Sequence, residues 1–545
     1  MAKPYGSTSL SDVEQRARRE SLDTFPLYAH LSTLVVPLVW LCYRFTHFSV
    51  RVLARTVGKR TSAGHVDASP ESSKTLLAKE TKQRFLRKRL RPYQRITWWL
   101  GHYIVIHGET WGRRDVWIFG SVWFAWLAFL CFLSTGNDVI HLARRFGIIA
   151  TSQLPAQYLL GMRSFNPYAR VFGLSHEELN RWHRMLGHII SLLWLLHGSL
   201  YLVYFKSQGI LFQKLSTAVV VIGLVLLLVL ILVNTTSLRA VRHFSYRIFL
   251  TTHIAFSLVS PALLYFHTEH ARLYVLEVLT YYLVDLVIRK RWSIVTKALL
   301  QPLPGANLIR ISAIIPPEKI KSFRWQPGAY VYVGLLEPTR PKWTSSGFIS
   351  NPFTVESFDI TTGTATILAR PRHGPMTRTL AHLAHTNPCH TSAISDAESR
   401  QILISLEGLY GSALHFPEFS EASFDYVLLF AGGVGATFIL PIYRRIRQEM
   451  CVDVSMIWAV RDRKETTVYS GAGEALGDEV QVLETRSSQQ LDWESIVDGA
   501  FEDLPGHRIA VLVCGPCQMS LEVRRYVTPW VAKGWHVWWH SEQFS

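Results

Sequence analysis

The sequence predicts a multi-domain membrane protein: an α-helical transmembrane bundle of six core helices plus one N-terminal span, followed by a cytosolic β-barrel and an α/β parallel-sheet domain. Three observations predict it. Apolar residues make up 49% of the 545, more than a soluble chain of this size usually carries. Long apolar runs are confined to the first 290 residues. Beyond them the pattern changes to short β-rich runs punctuated by Pro and Gly, and from about 424 to strands alternating with helices, the rhythm of a parallel α/β sheet.

A bilayer crossing needs about 20 apolar residues. Seven stretches qualify, roughly 26–46, 117–134, 147–163, 182–204, 215–233, 248–268 and 272–289. The third contains Pro155, and the run from Ala218 to Val233 is almost wholly Val, Leu and Ile. The first 25 residues lack the basic start and small-residue exit of a cleavable signal, so the first stretch is expected to stay as an anchor. The stretch Phe85 to Trp111, basic and then Trp-rich, reads as an interfacial helix.

The formal charge is +17. Its basic residues cluster between the apolar runs, which the positive-inside rule explains. No basic, aromatic-interleaved strand pattern supports nucleic-acid binding. Arg51, Arg55, Lys82, Arg84 and Arg87 to Arg89 place the loop 47–116 in the cytosol, and alternation then puts Arg163, Arg170, Arg181, Arg239, Arg242, Arg247 and Arg289 to Arg291 on the same side. The N-terminus falls outside and everything after residue 290 in the cytosol. Six scattered cysteines form neither a disulfide framework nor a Cys-rich metal site.

These patterns divide the chain into an N-terminal span and basic cytosolic loop (1–116), a transmembrane core (117–290), a barrel (296–415) and an α/β domain (424–545). Residues 384–401 and 463–480 read as polar insertions, and no internal repeat is present.

Histidines indicate the membrane chemistry. His183 and His197 lie in one predicted span and His253 and His267 in another, each pair fourteen positions apart. Fourteen residues are nearly four helical turns, so each pair shares a face and is separated by about 21 Å along the axis. The topology sets His183 level with His253 near the cytosol, and His197 level with His267 near the outside. Intramembrane ionisable groups are costly and usually functional. Two neutral imidazoles per level suit the two axial positions of heme iron, a saturated arrangement that favours electron transfer. His188 points about 140° away from His183, and His176 and His243 lie in loops; none is assigned a ligand role.

In the C-terminal half, Ala431-Gly432-Gly433-Val434-Gly435-Ala436-Thr437 sits between an apolar strand and an apolar helix, the context of a nucleotide-phosphate loop. Arg461 ends a second strand and either pairs with the 2′-phosphate of NADPH or stands as a surface arginine. Gly374 and Thr377, in Arg370-Pro371-Arg372-His373-Gly374-Pro375-Met376-Thr377, open a helix whose amides suit a pyrophosphate; a solvated basic loop is the alternative. Cys514-Gly515-Pro516-Cys517 follows an apolar strand late in the α/β domain. Its late place in the domain argues against a thioredoxin-like motif.

Taken together, Asn180-Arg181-Trp182-His183-Arg184-Met185-Leu186-Gly187 with His197, the pair His253 and His267, Asn351-Pro352-Phe353-Thr354, Glu407-Gly408-Leu409-Tyr410-Gly411, Ala431 to Thr437 and Cys514-Gly515-Pro516 resemble the fungal-type ferric reductase family, related to the NADPH oxidases. The resemblance covers the chain from about 117 to its end. It implies two b-type hemes, FAD and NADPH, with one-electron reduction of external ferric or cupric chelates. It implies that Asn351 to Thr354 hold the flavin, that Phe544 stacks near it, and that Cys514 and Glu542 lie close to the nicotinamide. Asn351 stands where many relatives have histidine, Leu409 where proline is usual, and Gly374 to Thr377 is one residue longer than the usual form. A multi-pass location, with the plasma membrane as its expected site, follows from the same resemblance, while a homo-oligomer or an iron-uptake partner is left open. The competing readings are an NADPH oxidase releasing superoxide and a heme-free transporter or scaffold. The extra span at 26–46 and the lack of a calcium-loop pattern favour the metalloreductase.

Overall fold

The computed structural model describes residues 11–61, 92–136, 138–303, 306–336, 350–372, 374–386, 401–421, 423–468, 479–485, 491–502 and 508–542. They form two compact units, one from within 1–80 and 98–288, the other from within 81–97 and 289–545.

The first unit is helical. Its principal helices are α1 (Asp12–Thr61), α2 (Arg114–Phe132), α3 (Val139–Ser152), α4 (Leu154–Gly161), α5 (His176–Ser207), α6 (Ala218–Thr236), α7 (Tyr246–His267) and α8 (Arg272–Trp292). Among the described residues, five segments are long and apolar enough to cross a membrane: residues 12–46 of α1, and α2, α5, α6 and α7. Helix α5 begins at a capping box between Ser175 and Glu178, which satisfies first-turn amides that would otherwise lack partners. On α6, Val219, Val221, Val225, Leu228 and Ile231 are exposed, as lipid-facing residues are.

The other two expected spans differ in form. The third is divided into α3 and α4 at the buried Gln153. Pro155 lacks an N–H and stands in the first turn of α4, where none is needed. The Gln153 amide donates to the Ala29 carbonyl at 2.9 Å, and its oxygen accepts from Trp123 Nε1 at 3.2 Å. The seventh, α8, carries Glu277 and Asp285, which keep it outside the apolarity of the five.

The expected interfacial helix over Phe85–Trp111 is corrected. Residues 92–100 are helical, but a hairpin follows, Tyr103–Ile106 with Glu109–Arg113, while 85–91 lie outside the described residues. Ile106 pairs with Glu109 around His107 and Gly108, whose φ values are 51° and 77°. Two consecutive left-handed residues make the turn that matches strand twist, and Tyr-Ile-Val-Ile is strand-forming sequence.

The second unit begins with a closed barrel: β1 (Ile294–Leu303), β2 (Leu308–Ile314), β3 (Tyr330–Leu336), β4 (Ser350–Asp359), β5 (Thr364–Ala369) and β6 (Ile402–Tyr410), in spatial order β1-β2-β5-β4-β3-β6. Ile311, Val331, Val333, Val355, Ile367 and Ile404 fill its interior, and α9 (Pro375–Thr386) adds Leu380 and Ala384. Next comes a five-stranded parallel sheet of β7 (Tyr426–Gly432), β8 (Asp453–Val460), β9 (Val480–Glu484), β10 (Arg508–Cys514) and β11 (His536–Glu542), ordered β9-β8-β7-β10-β11. Its helices are α10 (Ala436–Glu449), α11 (Trp493–Glu502) and α12 (Cys517–Lys533). Strand order reverses between β7 and β10, where such sheets open a crevice at their carboxyl ends. Arg95 and Gln94 belong to this unit, donating to the carbonyls of Ala532 at 2.6 Å and Trp535 at 3.0 Å. The cation thereby meets the negative end of α12.

Ile367→Ala should cost the barrel about 2–5 kcal/mol through lost burial and a residual cavity. Hydrogen exchange of the full chain should show faster exchange in β1–β6 and unchanged protection in β7–β11.

Candidate functional site

Helices α5 and α7 bring the four predicted histidines together in the predicted pairs. The rings of His183 and His253 have centroids 6.0 Å apart with planes crossing at 69°, and those of His197 and His267 lie 6.2 Å apart at 88°.

Three of the rings are oriented by the same device. His197 Nδ1 donates to the Ala143 carbonyl at 2.7 Å, His183 Nδ1 to that of Gln157 at 3.0 Å, and His267 Nδ1 to that of Val219 at 3.0 Å. A carbonyl oxygen only accepts, so the proton is on Nδ1 and the neutral ring keeps its Nε2 lone pair. Each carbonyl is followed four residues later by a glycine: Gly147, Gly161 and Gly223. A Cβ on these glycines would stand 2.7 Å from His197 Nδ1, 3.2 Å from a His183 ring atom and 2.9 Å from His267 Cε1. In a helix the carbonyl of residue i points toward residue i+4, so glycine there leaves room for the ring to reach the second lone pair.

His253 lacks this arrangement. Fourteen residues beyond Gly223, on the other level of α6, stands Ser237, and Nδ1 of His253 is buried with no hydrogen-bond partner among the described residues. The glycines were missed in the sequence, yet Gly147 and Gly161 repeat the fourteen-residue interval of the histidines they face.

The donor set fits a metal held axially by two imidazoles at each level. Two metal–nitrogen bonds of about 2 Å each, plus the half-widths of two rings, span about 6 Å, which the paired centroids match. The three carbonyl partners are the orienting shell that ligand histidines require.

In the barrel, Asn351, Pro352, Phe353 and Thr354 lie within β4, paired with Val333, Tyr332, Val331 and Tyr330 of β3. Tyr330, Tyr332 and Tyr410 form an aromatic cluster with centroids 5.8–5.9 Å apart. Glu407 takes a two-pronged contact from Arg289, each bond 2.9 Å, and Tyr410 donates to it at 3.1 Å. Gly374 precedes α9 as expected. The Thr377 hydroxyl, however, is occupied in shaping its own loop, donating to the Arg372 carbonyl at 3.0 Å.

At the sheet's switch point, Gly433 to Gly435 form a single 3₁₀ turn between β7 and α10. Any Cβ on Gly432 would meet Pro516 Cδ at 2.8 Å and Gly515 Cα at 3.2 Å, and one on Gly435 would meet the Cys514 carbonyl and, at 3.2 Å, its Sγ. The glycine loop and the Cys514-Gly515-Pro516 turn are thus packed against one another. The Thr437 hydroxyl donates to the Val434 carbonyl at 2.9 Å. Arg461 lines a cavity of about 500 Å³ with Ala306, Asn307, Arg370, Asp462, Glu465 and Thr485, and Arg370 pairs with Glu465 at 2.7 Å.

Cys514 and Glu542 are register partners at the ends of β10 and β11. Complete burial, reinforced by the Glu542 carboxylate, pushes the Cys514 thiol well above its usual range, so the sulfur stays protonated at neutral pH. Glu542 accepts from the Ser412 hydroxyl at 2.7 Å and pairs with His540 Nε2 at 2.9 Å. Phe544 lies outside the described residues.

Two outcomes follow. Gly147→Ala should displace the His197 ring and weaken heme retention by about 10–100-fold, measured by absorbance of purified chain during heme titration. Gly198→Ala is the control, since its Cβ would meet only Leu227 Cδ2, at 3.6 Å. Between pH 7 and 9 iodoacetamide should modify the exposed Cys517 and Cys451 while sparing Cys514 by peptide mapping, because reaction requires the thiolate.

Residues 146–264 match the family model "Ferric reductase like transmembrane component", and 424–482 match "Ferric reductase NAD binding domain". The chain is 24% identical to "Ferric/cupric reductase transmembrane component 2" of Schizosaccharomyces pombe, over 59% of this chain and 62% of the relative. It is 24% identical to "Probable ferric reductase transmembrane component" of Eremothecium gossypii, over 68% and 55%, respectively. It is 25% identical to "Probable metalloreductase AIM14" of Yarrowia lipolytica, over 67% and 63%. The matches thus span less than two thirds of each relative's length. With both domain models in order along one chain, this multi-pass membrane protein carries a ferric reductase like transmembrane component and a ferric reductase NAD binding domain, and is similar to fungal ferric reductases.

Proposed function

We propose that the chain is a transmembrane NADPH-dependent metalloreductase of the plasma membrane, its barrel and sheet in the cytosol, reducing ferric or cupric chelates on the opposite side. The observation that carries the reading is the pair of imidazole couples at two levels of the same two helices, at 6.0 and 6.2 Å.

His183 with His253 would hold one b-type heme and His197 with His267 a second. When bound, FAD supplies conversion of the two-electron hydride of NADPH into single electrons, and the hemes carry these across the bilayer. The protein's part is binding, orientation and control of protons. Carbonyls of Ala143, Gln157 and Val219 keep three imidazoles neutral and fixed. Asn351 to Thr354, beside the Tyr330–Tyr332–Tyr410 cluster, would seat the flavin, with Gly374 and the start of α9 toward its phosphates.

Gly432, Gly433 and Gly435 would admit the nucleotide phosphates, with Arg461 at the 2′-phosphate. Gly515 and Pro516 close the nicotinamide end. There Cys514 presents a protonated, uncharged thiol, and Glu542 is held between Ser412 and His540.

The test is a reduced-minus-oxidised spectrum of membranes containing the chain or His197→Ala, followed by NADPH-driven reduction of a ferric chelate. A b-type signal that weakens in the variant, with reductase activity down at least about tenfold, is expected. Absence of heme in well-expressed wild type overturns the reading. Superoxide formed under air at the expense of chelate reduction would replace the metalloreductase with an oxidase.

A further inference from the structure

Helix α8 reverses the amphipathicity of a soluble helix. Leu273, Leu276, Leu279, Leu283 and Val287 are 43–62% exposed. Tyr274, Glu277, Tyr281 and Asp285 recur at intervals of three and four on the other face, where Tyr274 and Asp285 are buried. Lipid accounts for the apolar exterior, but not for ionisable groups kept inside, which are costly at membrane depth and mark ion or proton paths.

Helix α1 completes the array. His30 Nδ1 donates to the Ser152 carbonyl at 3.2 Å, and its Nε2 lies 3.2 Å from Glu277 Oε2. The Nδ1 proton is fixed by an oxygen that can only accept, so the Nε2–Oε2 contact itself holds one proton, on the imidazole or on the acid. The Tyr281 hydroxyl donates to the other Glu277 oxygen. The Tyr274 ring is 5.4 Å from that of His30. Just before α8, His270 Nδ1 meets Asp23 Oδ1 at 2.5 Å. At the opposite end, Asp285 accepts from the amides of Ser164 and Phe165 at 3.0 and 2.9 Å. Fifteen residues separate His270 from Asp285, about 22 Å of helix against a hydrocarbon core of about 30 Å.

We propose that the seam between α1 and α8 is a proton-conducting file: Asp285, Tyr281, Glu277 with His30, Tyr274, and His270 with Asp23. A proton enters at Asp285 as one leaves at Asp23 and His270. Each group between receives one from its inner neighbour and gives one to its outer neighbour, so one proton crosses and no group is changed. The purpose rests on the proposed outward electron transfer. Every electron delivered outward works against a growing potential, about 2.3 kcal/mol per charge at 100 mV, and a proton travelling the same way cancels it. The file uses none of the four paired histidines of α5 and α7.

The test uses the full holo-chain in liposomes containing a pH-sensitive dye, with a potassium diffusion potential and without NADPH or acceptor. Proton flux above that of protein-free vesicles is expected, falling at least about tenfold in Glu277→Gln with the heme spectrum unchanged. Wild-type flux equal to that of empty vesicles overturns the proposal, as does undiminished flux in Glu277→Gln. Should that variant lose its heme spectrum, His30→Gln and Asp285→Asn decide by the same criterion. A failed electron-transfer reading shows instead as absent heme or absent chelate reduction, in a separate assay.

Discussion

The membrane unit depends on one hydrogen bond used three times, from an imidazole Nδ1 to a main-chain carbonyl of a neighbouring helix. It settles where the ring proton is without creating a charge, and a charge at this depth would be costly. It also leaves the Nε2 lone pair of each ring free of a proton. The arrangement needs three backbones: α3 for His197, α4 for His183 and α6 for His267. The glycine four residues after each carbonyl leaves that oxygen open from the side. The break at Gln153 belongs to the same design, because it carries one predicted span past both levels as two helices, each supplying a carbonyl and a glycine.

The fourth histidine shows what the device contributes. Ser237 occupies the place a glycine would take on α6, and the Val233 carbonyl is already used by the Ser237 amide at 3.0 Å and the Thr236 hydroxyl at 3.3 Å. His253 is therefore oriented by packing, with the Phe249 ring 5.4 Å away, rather than by a hydrogen bond. The two levels are not equivalent: the His197–His267 pair has both Nδ1 atoms anchored, the His183–His253 pair only one. A hydrogen bond to Nδ1 makes an imidazole a stronger donor to metal, so the pairs would hold their metals with different basicity.

Much of this was legible in the sequence, and the losses have physical causes. The histidine pairing followed from a fourteen-residue interval, because helical periodicity converts spacing into shared faces. The glycines did not declare themselves, since each serves a ring on another helix and a single sequence does not show the crossing. Asn351 to Thr354 stand in a strand, where a proline lacking an N–H is tolerated if no ladder bond is required of it. The hairpin at 103–113 was absorbed into an interfacial helix because basic and aromatic residues outweighed its turn signal at His107-Gly108. The turn at Gly433 to Gly435 does lie between strand and helix, since a glycine turn in that context has few alternative folds. Ser412 and His540, brought to Glu542 from distant parts of the chain, carried no local pattern.

Polarity is distributed by the same logic throughout the membrane unit. Of the four paired imidazoles on α5 and α7, three have their Nδ1 protons fixed by carbonyls, an environment suited to electron carriers and poor at moving protons. On the α1–α8 seam the groups are carboxylates, phenols and imidazoles, among which Glu277 meets both His30 and Tyr281 and Asp23 meets His270. Helix α8 can present both an apolar exterior and a titratable interior because intervals of three and four keep Tyr274, Glu277, Tyr281 and Asp285 on one face. Shifting any one of them by a single position would turn a polar group into lipid, where burial without a partner is least tolerated. The charges that made α8 look unlike a span thus occupy the positions where a spanning helix can hold them.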